Sequence, residues 1–317
     1  MINAGGEPTT CICWAHQHIT AKIMDQLLQD DLSLLSLPLF FAAITIELLW
    51  SYKKRLGWYS ARDSLASMSM LLMSALVELA PRLLAVALMF QLHDISPLRD
   101  VVGRQWWAWL ALFLLEDFTF YCFHRMNHQV RLFWAGHVNH HSSQYLNLGT
   151  ALRQGVGERL HKFLFWLWLP LLGFDPLMII TMIGISLFYQ FWIHTQGVGK
   201  LPRIFEAIFN TPSHHRVHHA SNIRYLDCNH GGILIIWDRL FGTFSEECDD
   251  EPVVYGLTTN INSNNPWVVL THEYRSIGRD VSRADNWPDR LRYLFWAPGW
   301  SHDGADKRAR ILRGAAE

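Results

Sequence analysis

The chain has 317 residues, 50% hydrophobic and only 17% charged, where an ordinary soluble domain carries about 25% charged residues. Lys plus Arg number 27 against 28 Asp plus Glu. That leaves no basic excess for nucleic acid, and the apolar content excludes disorder. A membrane protein or a large soluble enzyme remains, and the 17 His and 15 Trp suit metal ligation and interfacial anchoring.

Residues 1–31 read as an N-terminal tail. They lack a basic segment followed by an apolar core, so no signal peptide is expected. Cys11 and Cys13 read as unconstrained terminal residues. The five cysteines include no C-x-x-C, which argues against a disulfide framework or a thiolate zinc site.

Four apolar runs follow, over 32–52, 64–92, 106–123 and 163–193, broken only by isolated charges such as Glu47, Glu78 and Asp117. The first three fit single crossings of about 20 residues, with Pro81 a kink in the second. The fourth is too long for one crossing at about 1.5 Å per residue. Broken at Gly173 between Pro170 and Pro176, it predicts a hairpin of two short helices returning to the same side. Lys53, Lys54, Arg55 and Arg62 place the loop after the first span in the cytoplasm. Both hairpin ends and everything from Thr195 onward are then cytoplasmic. The fold class predicted is all-α: a multi-pass transmembrane helical bundle with a cytoplasmic, histidine-rich di-metal site. Residues 32–254 form the membrane-embedded catalytic domain and 255–317 a cytoplasmic tail. A helix from Asn286 either lies on the membrane surface through Leu291, Leu294, Phe295 and Trp296 or simply packs.

The histidines cluster. His124 and His128 form H-x-x-x-H; His137, His140 and His141 form H-x-x-H-H; His215, His218 and His219 repeat it. Residues three and four apart share a helix face, so each cluster aims two or three imidazoles at one point. His194, ending the apolar hairpin, is a ninth candidate ligand. One zinc takes about four ligands, so this number fits two metals. His214 reads as an outer partner or solvent-facing. His16, His18, His93, His272 and His302 fit no cluster and read as surface residues. Asp117, two turns before His124, reads as a carboxylate supporting a metal-bound imidazole, with Asp238 a second candidate or a turn residue. Gln190 reads as a helix–helix hydrogen-bonding group. Arg153 reads as a headgroup ligand or a salt-bridge partner.

These segments resemble the fatty acid hydroxylase / sterol desaturase superfamily over roughly residues 40–300. The resemblance is carried by DFTFYCFHRMNH, HVNHHSSQYLNLGTALRQ, QFWIHT, NTPSHHRVHHASN and LIIWDRLFGTF. The alkylglycerol monooxygenase-like branch looks closest, although that branch has acids where Gln129 and, commonly, Gln144 stand. The resemblance implies two irons per chain held by His124, His128, His137, His140, His141, His215, His218 and His219. It also implies O2-dependent hydroxylation or desaturation of a lipid. No G-x-G-x-x-G fingerprint occurs, so an external electron donor is expected: a cytochrome, ferredoxin or pterin. The competing classes are a membrane metal transporter and a membrane zinc hydrolase. The first wants ionisable residues at mid-membrane; the second wants a Glu beside its histidines, and the clusters contain none.

Overall fold

The structure, a computed structural model, describes residues 36–316. The tail over 1–31, with Cys11, Cys13, His16 and His18, lies outside the described residues. Helix α1 (Leu37–Lys54) starts with a proline in its first turn and ends on Lys53 and Lys54, where cations face the negative helix end; Arg55 closes it at φ 56°. Helix α2 (Ala61–Asp94) runs through Pro81 without ending. Helix α3 (Trp106–Gln129) contains the third apolar run and extends beyond it, carrying His124 and His128 on its last turns.

The fourth run does break at Gly173, which takes φ 89°, a conformation that glycine adopts without a Cβ penalty. Its first limb is not one helix. After the short α5 (Glu158–His161), it divides into a 3-10 segment (Lys162–Trp166) and α6 (Trp168–Leu171). The second limb is regular: α7 (Pro176–Trp192), capped by the Asp175 carboxylate on the amide of Leu177 at 2.8 Å. Arg104 fixes that cap at 2.6 Å. Helices α3 and α7 enclose the main apolar core, where Leu112, Phe120, Phe123, Trp166, Leu169, Met178, Ile179 and Met182 are buried together.

Against the expected three crossings and a returning hairpin, one helix among the described residues, α2, is long and apolar enough to span a membrane. Helix α7 is apolar but has only 17 residues. Helices α1 and α2 turn large apolar side chains outward: Ile46 is 68% exposed, Leu49 61%, Leu72 64% and Leu76 72%. Such side chains face a non-aqueous neighbour more comfortably than water.

The remaining elements close one end of this bundle. They are α4 (Arg131–His141), α8 (Arg203–Ile208), α9 (Pro212–His218), α10 (Ile236–Phe241), α11 (Pro266–Arg283), α12 (Trp287–Phe295) and α13 (Ala309–Ala316). No strand occurs among the described residues, only isolated bridges at Phe209–Leu234 and Ala220–Tyr255. Helix α12 covers the Asn286 segment and packs through one face. Tyr293 is buried under the Arg131 guanidinium, while Trp287, Leu291, Phe295 and Trp296 are exposed.

Candidate metal centre

Three helix ends and one helix exit converge. The last turns of α3 bring His124 and His128, α4 brings His137, His140 and His141, and His194 follows α7. Helix α9 begins with a capping box of Thr211 and His214 plus Pro212 at its first position, which fixes the direction in which His215, His218 and His219 leave it. All nine candidate ligands are 3–6% exposed.

They separate into two groups. His124, His128, His137, His141 and His218 form one; His140, His194, His215 and His219 form the other, with candidate ligand atoms in each within 4.8 Å of one another. Helices α4 and α9 each feed both groups. Positions four apart (137 and 141; 215 and 219) serve the same group, and the residue between them serves the other.

The hydrogen bonds fix what the rings can do. His124 Nδ1 meets the His230 carbonyl at 2.9 Å and His137 Nδ1 the Glu158 carboxylate at 2.8 Å. His140 Nδ1 meets the Arg153 carbonyl at 3.2 Å, His194 Nδ1 the Gln190 carbonyl at 2.7 Å and His218 Nδ1 the Cys228 carbonyl at 2.9 Å. Facing only acceptors, these nitrogens carry the proton, and each Nε2 of a neutral ring is left with a lone pair. Those lone pairs point at one another: His124 to His137 at 3.1 Å, His140 to His194 at 3.1 Å. Two acceptors cannot hydrogen-bond, whereas nitrogens bound about 2.0–2.1 Å from one cation necessarily lie about 3 Å apart. His128 Nε2 and His218 Nε2 are buried with no hydrogen-bond partner, as ligand atoms awaiting a cation would be. The donor set is all imidazole, which suits iron, zinc, copper or nickel. The residues therefore fit two metal ions.

Electrostatics agree. Burial first, then the neighbouring imidazoles, hold His140, His215 and His219 well below the ordinary histidine pKa, so the rings stay neutral and able to ligate. Burial would raise the Glu158 carboxyl, but His137, with Arg159 and Lys162 behind it, pulls it down to about 2. Glu158 reaches His137 because α4 lies directly against residues 155–158. A Cβ on Gly155 would collide with the Gly136 carbonyl, and one on Gly136 with the backbone of Gly157 and Glu158. Asp227 accepts from His128 Nδ1 at 3.3 Å.

Asp117 departs from its expected role. It does not reach His124. Its carboxylate accepts from the amides of Ile233 (2.7 Å) and Leu234 (3.2 Å) and from the Trp237 indole (2.8 Å). The acid costs little in its apolar helix because three donors from the following loop satisfy it. It acts on His124 only through that loop, whose His230 carbonyl is the actual partner. Asp238 is the turn residue, accepting from the amides of His230 (2.8 Å) and Gly231 (2.7 Å). His214 is not solvent-facing: it is 1% exposed and pairs with Glu206 at 2.9 Å. Gln190 bonds Ser186 within its own helix at 2.9 Å. Arg153 is 1% exposed and paired with Asp63 at 3.3 Å, which excludes it as a free headgroup ligand.

Sequence reasoning missed Glu158, Asp227 and His230. His230 is fully buried, its ring 5.0 Å from that of His128. Nothing in its spacing marks it, since it stands alone in Asn229-His230-Gly231. Only the turn-forming glycines after it hint at a close approach.

Residues 109–243 match the family model described as fatty acid hydroxylase. The alkylglycerol monooxygenase of Danio rerio is 38% identical over 83% of this chain and 58% of its own length. The Homo sapiens enzyme of the same name is 39% identical over the same shares. The ornithine lipid hydroxylase of Rhizobium tropici is 31% identical over 47% of this chain and 45% of its own. The chain thus spans somewhat under three fifths of the length of the alkylglycerol monooxygenases that it matches. No solved structure matches. Over residues 109–243 the chain is similar to the fatty acid hydroxylases, and over most of its length to the alkylglycerol monooxygenases.

Proposed function

We propose that this chain is a multi-pass membrane oxygenase that uses two irons, O2 and an external reductant to hydroxylate or desaturate a lipid. The observation that carries the metal part is the set of buried Nε2 lone pairs facing each other at about 3 Å. The lipid part is supported by the relatives, among them an alkylglycerol monooxygenase, an ornithine lipid hydroxylase and a lathosterol oxidase. Spanning helix α2 and the outward apolar faces of α1 and α2 support the membrane. The basic Lys53–Arg55 turn supports a cytoplasmic site.

Bound there, irons would supply the redox chemistry that no side chain of this site has. The chain's own residues do the rest. His124, His128, His137, His141 and His218 would hold one ion and His140, His194, His215 and His219 the other. Glu158 and the carbonyls of Gln190, Arg153, Cys228 and His230 hold the ring protons of His137, His194, His140, His218 and His124 on Nδ1, keeping the Nε2 of those five rings free. Phe120, packed against His124 and backed by the buried Phe123 and Trp166, excludes water from that side. The electron donor is a cytochrome, ferredoxin or pterin.

The test is protein purified from iron-replete cells, assayed for metal by mass spectrometry, with its membranes incubated under 18O2 with and without reductant. About two irons per chain and one 18O in, or two hydrogens lost from, a lipid product is the expected result. Stoichiometric zinc with full activity, or lipid turnover without O2, overturns the proposal.

A further inference from the structure

Asp227, the partner of His128, also lines a cavity of about 520 Å³. It is lined by Arg125 of α3, Asp227, Trp296 and, from the C-terminal segment, Arg308, Arg310 and Arg313. The charges on its wall are not matched. Arg308 is paired with Asp306 at 2.6 Å. Among the described residues, no carboxylate lies within ion-pair distance of Arg125, Arg310 or Arg313. Against these three stands one acid, Asp227, already engaged with His128.

Two of the guanidinium groups are held in place yet incomplete. Arg125 donates Nη1 to the Tyr121 hydroxyl at 2.9 Å, and Arg313 donates Nη1 to the Cys228 sulfur at 3.1 Å. The Nε of each is buried with no hydrogen-bond partner. A buried guanidinium nitrogen without an acceptor costs free energy that a native protein normally recovers by binding one. Two such forks, facing one cavity from two different elements, form a receptor for an oxyanion with several acceptor oxygens. The volume exceeds what a bare ion fills and suits a small ligand. Trp296, 42% exposed at the rim, gives an attached organic group an apolar surface.

We propose that this cavity is a binding site for a phosphate ester, held by Arg125 and Arg313. The bound phosphate would sit one carboxylate, Asp227, away from His128 of the five-histidine group. The proposal stands on the arginines and the cavity alone and does not require the oxidation chemistry proposed above.

The test is isothermal titration of the metal-loaded full chain in detergent with inorganic phosphate, glycerol 3-phosphate and dihexanoyl phosphatidic acid. Saturable binding of all three is expected, weakened at least tenfold in the double variant Arg125→Gln, Arg313→Gln. Metal content and melting temperature of the variant, and the two single substitutions, guard against a folding defect. Arg279→Gln, which removes an equal charge from an exposed part of α11, should leave affinity within twofold of the parent. Tighter binding of the phosphatidic acid than of glycerol 3-phosphate identifies a lipid headgroup as the source. Equal affinities identify a soluble phosphate ester. Binding unchanged in the double variant and both singles, or lost equally with Arg279→Gln, overturns the proposal.

Discussion

A single carboxylate decides how firmly His137 can ligate. Glu158 holds the Nδ1 proton and carries a full charge next to the ring, which raises the basicity of Nε2. Glu158→Gln keeps a hydrogen-bonding group but removes the charge. It should lower metal affinity by about 10–100-fold with little loss of fold, as read by chelator competition. Asp117→Asn should fail differently. Asn offers one oxygen and a donating amide to a site where three N–H groups converge. Its main effect should be on stability, about 1–3 kcal/mol, seen as a lower melting temperature before any metal is added. An unchanged melting temperature with reduced metal binding would return Asp117 to direct support of His124. The convergence of the nine candidate histidines was legible because eight share helix-face spacing and His194 ends an apolar run, features visible without any tertiary contact. Glu158, Asp227 and His230 were not, because each reaches the site through a fold-back that no local pattern records.

Between elements, the buried ion pair of Asp63 and Arg153 ties α2 to the segment after α4. Asp63 also accepts from Ser143 at 2.8 Å, and Arg153 donates to the Asn139 carbonyl at 2.9 Å. The Arg153 carbonyl in turn holds His140, so the pair reaches the four-histidine group through one residue. Asp63→Ala strands a guanidinium that is 1% exposed. The expected cost is about 3–5 kcal/mol, measured by thermal or denaturant unfolding, together with weaker metal retention. The long helices α1, α2, α3 and α7 were legible as uninterrupted apolar runs, and the Gly173 break from its flanking prolines. The irregular limb before Gly173 was not. Residues 163–171 look as apolar as the start of a spanning helix, but the structure winds them as a 3-10 segment followed by a short helix, with Trp166 in the core. Composition reports how apolar a segment is, not which neighbour it must reach.

At the scale of the whole molecule, the site links stability to pH. Burial and then mutual repulsion hold His140, His141, His215, His218 and His219 well below their ordinary value in the folded chain. The unfolded chain takes up protons below about pH 6.5, and the folded site refuses them until much lower. Stability that the neutral rings supply above that pH is therefore lost as pH falls toward the folded values. The metal-free protein should unfold more easily with each step of acidification below about 6.5, in a thermal-melt series across pH. A flat series would contradict it. The alternation of ligands along α4 and α9 reaches further. Each of these helices contributes to both groups, so an ion captured by one group immobilises rings that the other needs. The conformational entropy of ordering α4 and α9 falls mainly on the first ion, and the second binds to a site already arranged. Metal uptake by the apo-protein should then be sigmoidal, with half-loaded molecules scarce at every stage of a titration. The chain would behave as empty or doubly filled, and a cell short of metal would hold fewer complete centres, not many partial ones.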